Sequence, residues 1–293
     1  MRAALIALAL LCAATAAGCG GAPHTTTTTP ARAAKPAPAR SGLHVGVVGP
    51  LEVRVPGAVP EHGTLEQVAE DPLVLVSAEV ADAAMVAAAA AANPTSHFAL
   101  VGASSSGHHR PNLVGLVLND EQAALLGGVV AGLLATEQGG ADARVAWAGP
   151  EERSLAAAFA RGAQDVRPGT TVLRAWSQDL PASCKEAALG AIARGAVAVM
   201  AHGGLCADAA IAGADQQNRI GLRVSDFQLP SVPIGVIVQD AIAGVYRGGE
   251  DIVFDAASGA IGLRHLDPRI SADIAVRARA ASQQLASGVR PSG

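Results

Sequence analysis

The sequence predicts an α/β fold in two lobes, with parallel sheets that are covered by helices on both faces. From Leu43 onward, short runs rich in Val, Leu and Ala alternate with longer Ala-rich segments of helical period. The short runs are apolar almost throughout, which is typical of strands that are buried on both faces of a parallel sheet. About 250 ordered residues exceed one compact doubly wound sheet, so we expect two lobes.

Strands and helices alternate in order along the chain. The predicted strands are LHVGVVG (43–49), PLVLVS (72–77), HFALVG (97–102), NLVGLVL (112–118), ARVAWAG (143–149), TVLRAW (171–176), AVAVMA (196–201) and RIGLRV (219–224). The predicted helices are Val80–Ala92, Glu121–Thr136, Ser154–Val166, Cys184–Arg194 and Ala207–Gln216. Ligands bind beyond the carboxyl ends of strands in such sheets. The candidate loops are therefore GASSSGHHRPN, AGPEERS, WSQDLPAS, HGGLCAD and SDFQLPS.

Charge and motifs argue against several classes of function. The formal net charge is −4 at pH 7 and Lys and Arg are not clustered, so nucleic acid is not an expected partner. GASSSG misses the G-x-S-x-G pattern of hydrolases by one position, because Ser106 replaces the second glycine around Ser104. His108 and His109 are adjacent, so they point to opposite sides of an extended chain. We therefore predict no enzymatic activity, no cofactor and no metal site.

The N-terminal residues have the pattern of a secretory signal. A single basic residue, Arg2, precedes an apolar run and then small residues up to Cys19. The run is too short for a membrane span, which needs roughly 20 apolar residues. The segment Ala16–Cys19 resembles the lipobox of bacterial lipoproteins, in which the Cys is diacylated and becomes the first residue. An ordinary signal peptide cut nearby is the alternative. The stretch that follows, rich in Thr, Pro and Ala, is expected to be a disordered tether.

The cysteines also point to an oxidising compartment. Of the four in the chain, Cys12 would leave with the signal and Cys19 would carry lipid. The remaining two are Cys184 and Cys206, and an even remainder outside the cytoplasm predicts a disulfide.

Three longer stretches together resemble the basic membrane protein family. They are SHFALVGASSSGHHRPNLVGLVLNDEQAALLGGVVAGLL, SCKEAALGAIARGAVAVMAHGGLCADAAIAGADQQNRIGLRVSDFQ and DIVFDAASGAIGLRHLD. The resemblance extends from about Pro72 to the C-terminus. It implies a lipid-anchored protein on the extracytoplasmic face of the cell membrane, with a type I periplasmic-binding fold. Such proteins hand a solute to the permease of an ABC importer, and characterised family members bind purine nucleosides. Similar members carry a matching cysteine pair.

The sequence departs from this family near the expected ligand. The stretch between the first strand and Pro72 lacks the family's acidic glycine loop and Ser-Phe-Asn segment, and about one βαβ unit of some 30 residues is expected to be missing. Arg223 stands where the family has a ribose-binding aspartate, unless Asp226 takes that role. We therefore expect weak or no binding of purine nucleosides. Arg223 would favour an anionic ligand or pair with Asp226. The residues expected to line the cleft are Trp176, Gly203, Gly204, Arg223, Asp226 and Phe227.

These patterns predict five segments and leave two functions open. The segments are a signal peptide (1–18), a tether (19–42), a shortened N-terminal lobe (43–138), a C-terminal lobe (139–228) and a return segment that crosses between the lobes (229–293). The first function is solute binding for an ABC importer. The second is that of a degenerate relative, an extracytoplasmic sensor or structural lipoprotein, which the missing unit favours.

Overall fold

The computed structural model describes residues 42–140 and 142–291. The predicted signal peptide, the predicted lipidation site at Cys19 and nearly all of the tether lie outside these residues. The strands are β1 Leu43–Val48, β2 Ala58–His62, β3 Leu73–Ser77, β4 His97–Val101, β5 Leu113–Leu118, β6 Arg144–Gly149, β7 Thr171–Trp176, β8 Ala196–Ala201, β9 Ile220–Arg223 and β10 Ile252–Phe254. The helices are α1 Leu65–Val68, α2 Ala83–Ala92, α3 Asp120–Gln138, α4 Arg153–Val166, α5 Pro181–Ala193, α6 Gly204–Gln216, α7 Ser231–Ala243 and α8 Ala272–Ala286.

The strands form two sheets, and the pairings within both are parallel. The first sheet has the order β10-β5-β4-β3-β1-β2 and the second has the order β7-β6-β8-β9. Both β3 and β8 are buried along their whole length, as expected of apolar runs inside a parallel sheet. The predicted α/β class with parallel sheets is confirmed, and each predicted strand is present.

The region before Pro72 keeps a strand that the sequence analysis missed. Strand β2 pairs with β1 in parallel, with Leu43 opposite Ala58, and the connection through residues 49–57 contains no helix. Four of the five β2 residues are exposed, because β2 is at the edge of the sheet. Its sequence, AVPEH, therefore lacks the apolar run from which a buried strand can be predicted. The region before Pro72 therefore holds one more strand than the sequence predicted. A loop connects β1 to β2, and the four-residue helix α1 lies between β2 and β3.

Helix α3 is the most deeply buried helix of the second sheet's layer. It packs closely on α4, and glycines allow this approach. A Cβ atom on Gly128 would lie 2.1 Å from the carbonyl oxygen of Phe159, and one on Gly162 would lie 2.0 Å from that of Leu125. Such distances are far shorter than van der Waals contact, so a side chain at either position would push the helices apart. The predicted bounds assign α3 to the N-terminal lobe, whereas its sheet contacts are with β6 and β8.

The chain passes between the two sheets three times. It leaves the first sheet after β5 and enters α3 and β6. It returns after the short 3₁₀ turn Val224–Phe227, since α7 contacts β3 and β4 and β10 pairs with β5. It leaves again after β10, because α8 packs on α3. Within residues 42–140 and 142–291, no helix combines the length and the apolar character needed to cross a membrane.

Candidate ligand site at the strand carboxyl ends

The three connections meet beside the carboxyl end of β5. The backbone N–H of Asn119 donates to the carbonyl oxygen of Phe254 at 2.9 Å, and the side-chain oxygen of Gln122 accepts from the N–H of Ala256 at 2.8 Å. Gln228, on the second connection, donates its amide hydrogen to the carboxylate of Asp120. Side chains at the start of α3 therefore hold both returning connections, so that the three connections lie side by side here. We refer to this point as the hinge.

A polar cluster of Asp120, Glu152 and His202 lies at this hinge. Each residue follows a strand: Asp120 comes after β5, Glu152 after β6 and His202 after β8. The Nδ1 atom of His202 lies 2.7 Å from Oε1 of Glu152, and its Nε2 atom lies 3.8 Å from Oδ2 of Asp120. Glu152 precedes α4 but does not cap it with its side chain, which is directed to His202 instead. We call these three residues the hinge cluster.

The surroundings of the hinge cluster shift two of its pKa values. The hydrogen bond that His202 donates to Glu152 raises the pKa of His202 above its ordinary value, burial opposes this, and the charges of Glu152 and Asp120 add to it. Burial raises the pKa of Asp120, although His202 and Gln228 partly offset it. Carboxylates on two sides thus stabilise the imidazolium form of His202. Two carboxylates face a single imidazole, so the hinge cluster keeps an excess of negative charge when all three groups are ionised.

The predicted bridge between Cys184 and Cys206 is present, with a Cα–Cα distance of 5.4 Å. Both cysteines are buried, and they join the first turn of α5 to the first turn of α6. The bridge therefore fixes the start of the helix that directly follows His202. Asp179 lies beside the bridge, but sulfurs bonded to each other offer no thiolate to a metal ion.

The other predicted site residues have different surroundings. Gly203 and Gly204 are exposed, next to His202 and at the start of α6. Gly203 has φ +83°, and no atom of the described part of the chain lies within 4 Å of a Cβ added to either glycine. Trp176 is half-buried at the end of β7 and packs against the main apolar core. Phe227 is fully buried in that core, with its ring beside Gly127 of α3. The prediction that Phe227 lines an open cleft is therefore wrong, because the 3₁₀ turn directs its ring inward.

Arg223 and Asp226 do not form the predicted side-chain pair. The guanidinium of Arg223 contacts Asp208 of α6, with Nε 3.1 Å from Oδ1. Asp226 accepts a hydrogen bond from the backbone N–H of Arg223 at 2.7 Å. Burial raises the pKa of Asp226, and this hydrogen bond and nearby cationic groups lower it in part. Because Asp208 already offsets part of the charge of Arg223, the structure gives less support to an anionic ligand than the sequence did.

The loop after β4 that contains Ser104 and Ser105 is held in place by hydrogen bonds to Asp251. Asp251 accepts from both the N–H and the hydroxyl of Ser105, at 2.8 and 2.7 Å, and from the hydroxyl of Ser104. These bonds attach the loop to the segment that leads into β10. Burial raises the pKa of Asp251, but the serine hydrogen bonds outweigh it and hold that pKa below its ordinary value.

The sequence analysis missed the hinge cluster as a unit. Glu152 and His202 lie in two of the candidate loops, AGPEERS and HGGLCAD, but neither was singled out. The available signal is that each residue follows a buried strand, and parallel strands end at a common edge. Their pairing depends on β6 and β8 being neighbours, which a consecutive strand order would not suggest.

The fold matches solved structures at low sequence identity. One is an ABC transporter system solute-binding protein from Conexibacter woesei DSM 14684, 18% identical over 84% of this chain and 97% of that chain, with a TM-score of 0.60. Another is an ABC transporter system solute-binding protein from Aeropyrum pernix K1, 16% identical over 84% and 92%, with a TM-score of 0.53. A third is a transcriptional activator of the comK gene from Bacillus halodurans, 12% identical over 85% and 99%, with a TM-score of 0.64.

No protein-family model and no curated protein matches the sequence. At identities below one fifth, the structural likeness establishes the fold and not the activity. The chain has a type I periplasmic-binding-protein-like fold.

Proposed function

We propose that this chain is an extracytoplasmic solute-binding protein that closes two lobes on a small molecule and delivers it to the permease of an ABC importer. The observation that carries the proposal is the hinge cluster, since its polar groups lie where three connections join two parallel sheets. A ligand held at such a point contacts both sheets only when they approach each other. Binding would therefore favour a closed arrangement, by contacts that the open one lacks.

The structural neighbours and the charge of the chain support this function. Two of the three neighbours described above are named as solute-binding proteins of ABC transporters, and the third is named as a transcriptional activator. A DNA-binding role would call for clustered Lys and Arg, whereas this chain has a formal net charge of −4. Solute transport is therefore the better supported of the two roles.

Attachment to the membrane through a lipid on Cys19 is part of the proposal. It rests on the likeness of Ala16–Cys19 to a lipobox and on the resemblance to the basic membrane protein family. We expect the Cys19→Ala variant to leave the membrane fraction, because a protein with no acyl chain has no apolar anchor. Fractionation of cells that express each form would measure this. Equal recovery of the variant and the wild type in membranes would contradict the anchor.

Purine nucleosides are not the expected ligands. The proposal keeps the family's fold and mode of action but not its ligand, since no carboxylate replaces the ribose-binding aspartate at Arg223. Asp226, the alternative, already accepts a backbone hydrogen bond. Submicromolar binding of adenosine, guanosine or inosine in a calorimetric titration would show that other residues recognise the nucleoside.

Closure can be tested directly by small-angle scattering of the full chain in detergent, together with thermal unfolding. A ligand should raise the melting temperature and reduce the radius of gyration, because it binds only the folded state and draws the sheets together. Failure of a broad solute collection to produce either change would contradict solute binding.

The connection from β1 to β2, which contains no helix, supports a second candidate, an extracytoplasmic sensor or structural lipoprotein. It begins at the carboxyl edge of the first sheet, where a permease or a ligand would make contact. Uptake measurements separate the two candidates. Deletion of the gene should abolish accumulation of the bound solute if the chain serves an importer, and should leave it unchanged if the chain is a sensor.

A further inference from the structure

We propose that the hinge cluster selects a small solute that carries a protonated amine. This inference rests on the proposed function and names the class of ligand for the same site.

The first argument is charge. Asp120 and Glu152 flank His202, so one negative charge remains even when the imidazole is protonated. Two arginines at the same edge of the sheet are engaged elsewhere: Arg153, which follows Glu152, pairs with Glu151 at 2.6 Å, and Arg223, at the end of β9, pairs with Asp208 at 3.1 Å. The hinge cluster therefore attracts a cation and repels an anion.

The second argument is an unmet hydrogen-bond acceptor. The Oε2 atom of Glu152 is enclosed and accepts no hydrogen bond from the described residues, while the side chain as a whole is 31% exposed. The Oδ2 atom of Asp120, on a side chain that is 39% exposed, is 3.8 Å from Nε2 of His202, which is beyond hydrogen-bond distance. An ionised carboxylate only accepts hydrogen bonds, so both oxygens can accept from a ligand. An ammonium group supplies three donors together with the compensating charge.

The third argument concerns the surface near the cluster. Leu205, three residues after His202, is 74% exposed, and Leu180, just before α5, is 53% exposed. Both lie at the carboxyl edge of the second sheet, the edge at which the hinge cluster lies. The carbon chain of an alkylammonium ion would contact such side chains while its charged end meets the carboxylates. A neutral polyol would satisfy the acceptors but not the charge.

Three probes of similar length separate these classes: 1,4-diaminobutane is a dication, 1,4-butanediol is neutral and succinate is a dianion. We expect calorimetric titration of the full chain in detergent to show binding of the diamine and not of the diol or succinate. Spermidine and butylamine extend the amine set. Tighter binding of succinate or butanediol than of every amine would overturn the assignment, and so would the absence of binding by all three amines.

The variant Glu152→Gln tests whether the cluster is responsible. The substitution keeps the shape of the side chain and removes its charge, so we expect amine affinity to fall by about tenfold or more, as for loss of a charge-assisted hydrogen bond. Glu151→Gln is the matched control, because Glu151 is adjacent and exposed and pairs with Arg153. The amine affinity of Glu151→Gln should stay within about twofold of the wild-type affinity, because the substitution breaks only a surface ion pair. Unchanged binding in a folded Glu152→Gln protein would overturn the role of the cluster.

The pH dependence of amine binding provides a second test. Glu152 and Asp120 are the ionisable groups that act on His202. When His202 loses its proton at rising pH, the site loses one positive charge and its net charge becomes more negative. Amine binding should therefore tighten, while binding of a neutral solute would not change. Loosening at rising pH would contradict the assignment. If a neutral or anionic solute binds and compacts the chain, the amine assignment fails and the proposed function stands. If amines bind but the radius of gyration does not change, the amine assignment stands and the proposed closure of the lobes fails.

Discussion

Two carboxylates at the strand ends of this molecule, Asp251 and Glu152, have opposite surroundings. Both oxygens of Asp251 accept hydrogen bonds from Ser104 and Ser105. One oxygen of Glu152 is bonded to His202, and the other is enclosed and accepts no hydrogen bond from residues 42–140 and 142–291. A saturated network fixes a loop in one place, whereas an unsaturated one leaves a group that a ligand can satisfy. The Asp251 cluster is therefore structural, and the hinge cluster is the one that we propose for recognition.

The largest effect is expected from removing the bridge that supports the second cluster. The bridge spans 22 positions, and chain-entropy reasoning gives a stabilisation of about 3 kcal/mol for a loop of that size. The Cys184→Ala/Cys206→Ala variant should lose about that free energy of unfolding in urea denaturation. Amine binding should weaken too, because the start of α6 beside His202 is no longer fixed. The Asp251 cluster lies on the first sheet and should be unaffected.

Reductant is the control for this variant. It should lower the stability of the wild type and leave the double variant unchanged. A double variant as stable as the oxidised wild type would show that the bridge does not limit the unfolded chain.

Substitutions of Asp251 and of Glu152 should affect different properties, stability in the first case and amine affinity in the second. Asp251→Ala should reduce the free energy of unfolding by about 1 to 3 kcal/mol, because buried Ser105 loses its acceptor, yet leave amine affinity unchanged. Glu152→Gln should alter stability by less than about 0.5 kcal/mol, as a partly exposed substitution, and reduce amine affinity. Urea denaturation and calorimetric titration of both proteins measure the four quantities. A large loss of stability in Glu152→Gln would make its cluster structural as well.

Burial determines how much of this architecture the sequence could predict. Fully buried strands such as β8 have an unbroken apolar run, so the fold class follows from them. Strand β2 was missed because an edge strand exposes its side chains. Helix α7 was missed as well, since Pro233 and β-branched residues in its sequence favour other structures. In α7 the proline lies in the first turn, where its missing N–H costs nothing.

The site was harder to predict than the fold, because a site depends on neighbours that are distant in sequence. The cysteine pairing could be predicted, since only two cysteines were left to pair. The cleft assignment of Phe227 was wrong because an aromatic residue at a strand end can turn inward as readily as outward. The contact of His202 with Glu152 joins residues 50 positions apart, and no local pattern specifies it. Hinge clusters of this kind become visible only when the strand order is known.

The smallest effect is expected from the titration of His202, because its ring is partly exposed and burial opposes the carboxylates. Its folded pKa is raised above the ordinary value of 6.5. The stabilisation from His202 should therefore be fully present below that value and be lost as pH rises through the folded pKa. The raised pKa of Asp120 acts at lower pH, where its protonation favours the folded state. Proton NMR titration of the imidazole should give a pKa above 6.5 in the wild type and a lower one in Glu152→Gln, which lacks the charge that holds the proton. Glu151→Gln, which changes a charge of the same sign on the same loop, should leave the titration where it is. Equal midpoints in the wild type and Glu152→Gln would show that Glu152 does not control the imidazole, and would remove the distinction between the two carboxylates.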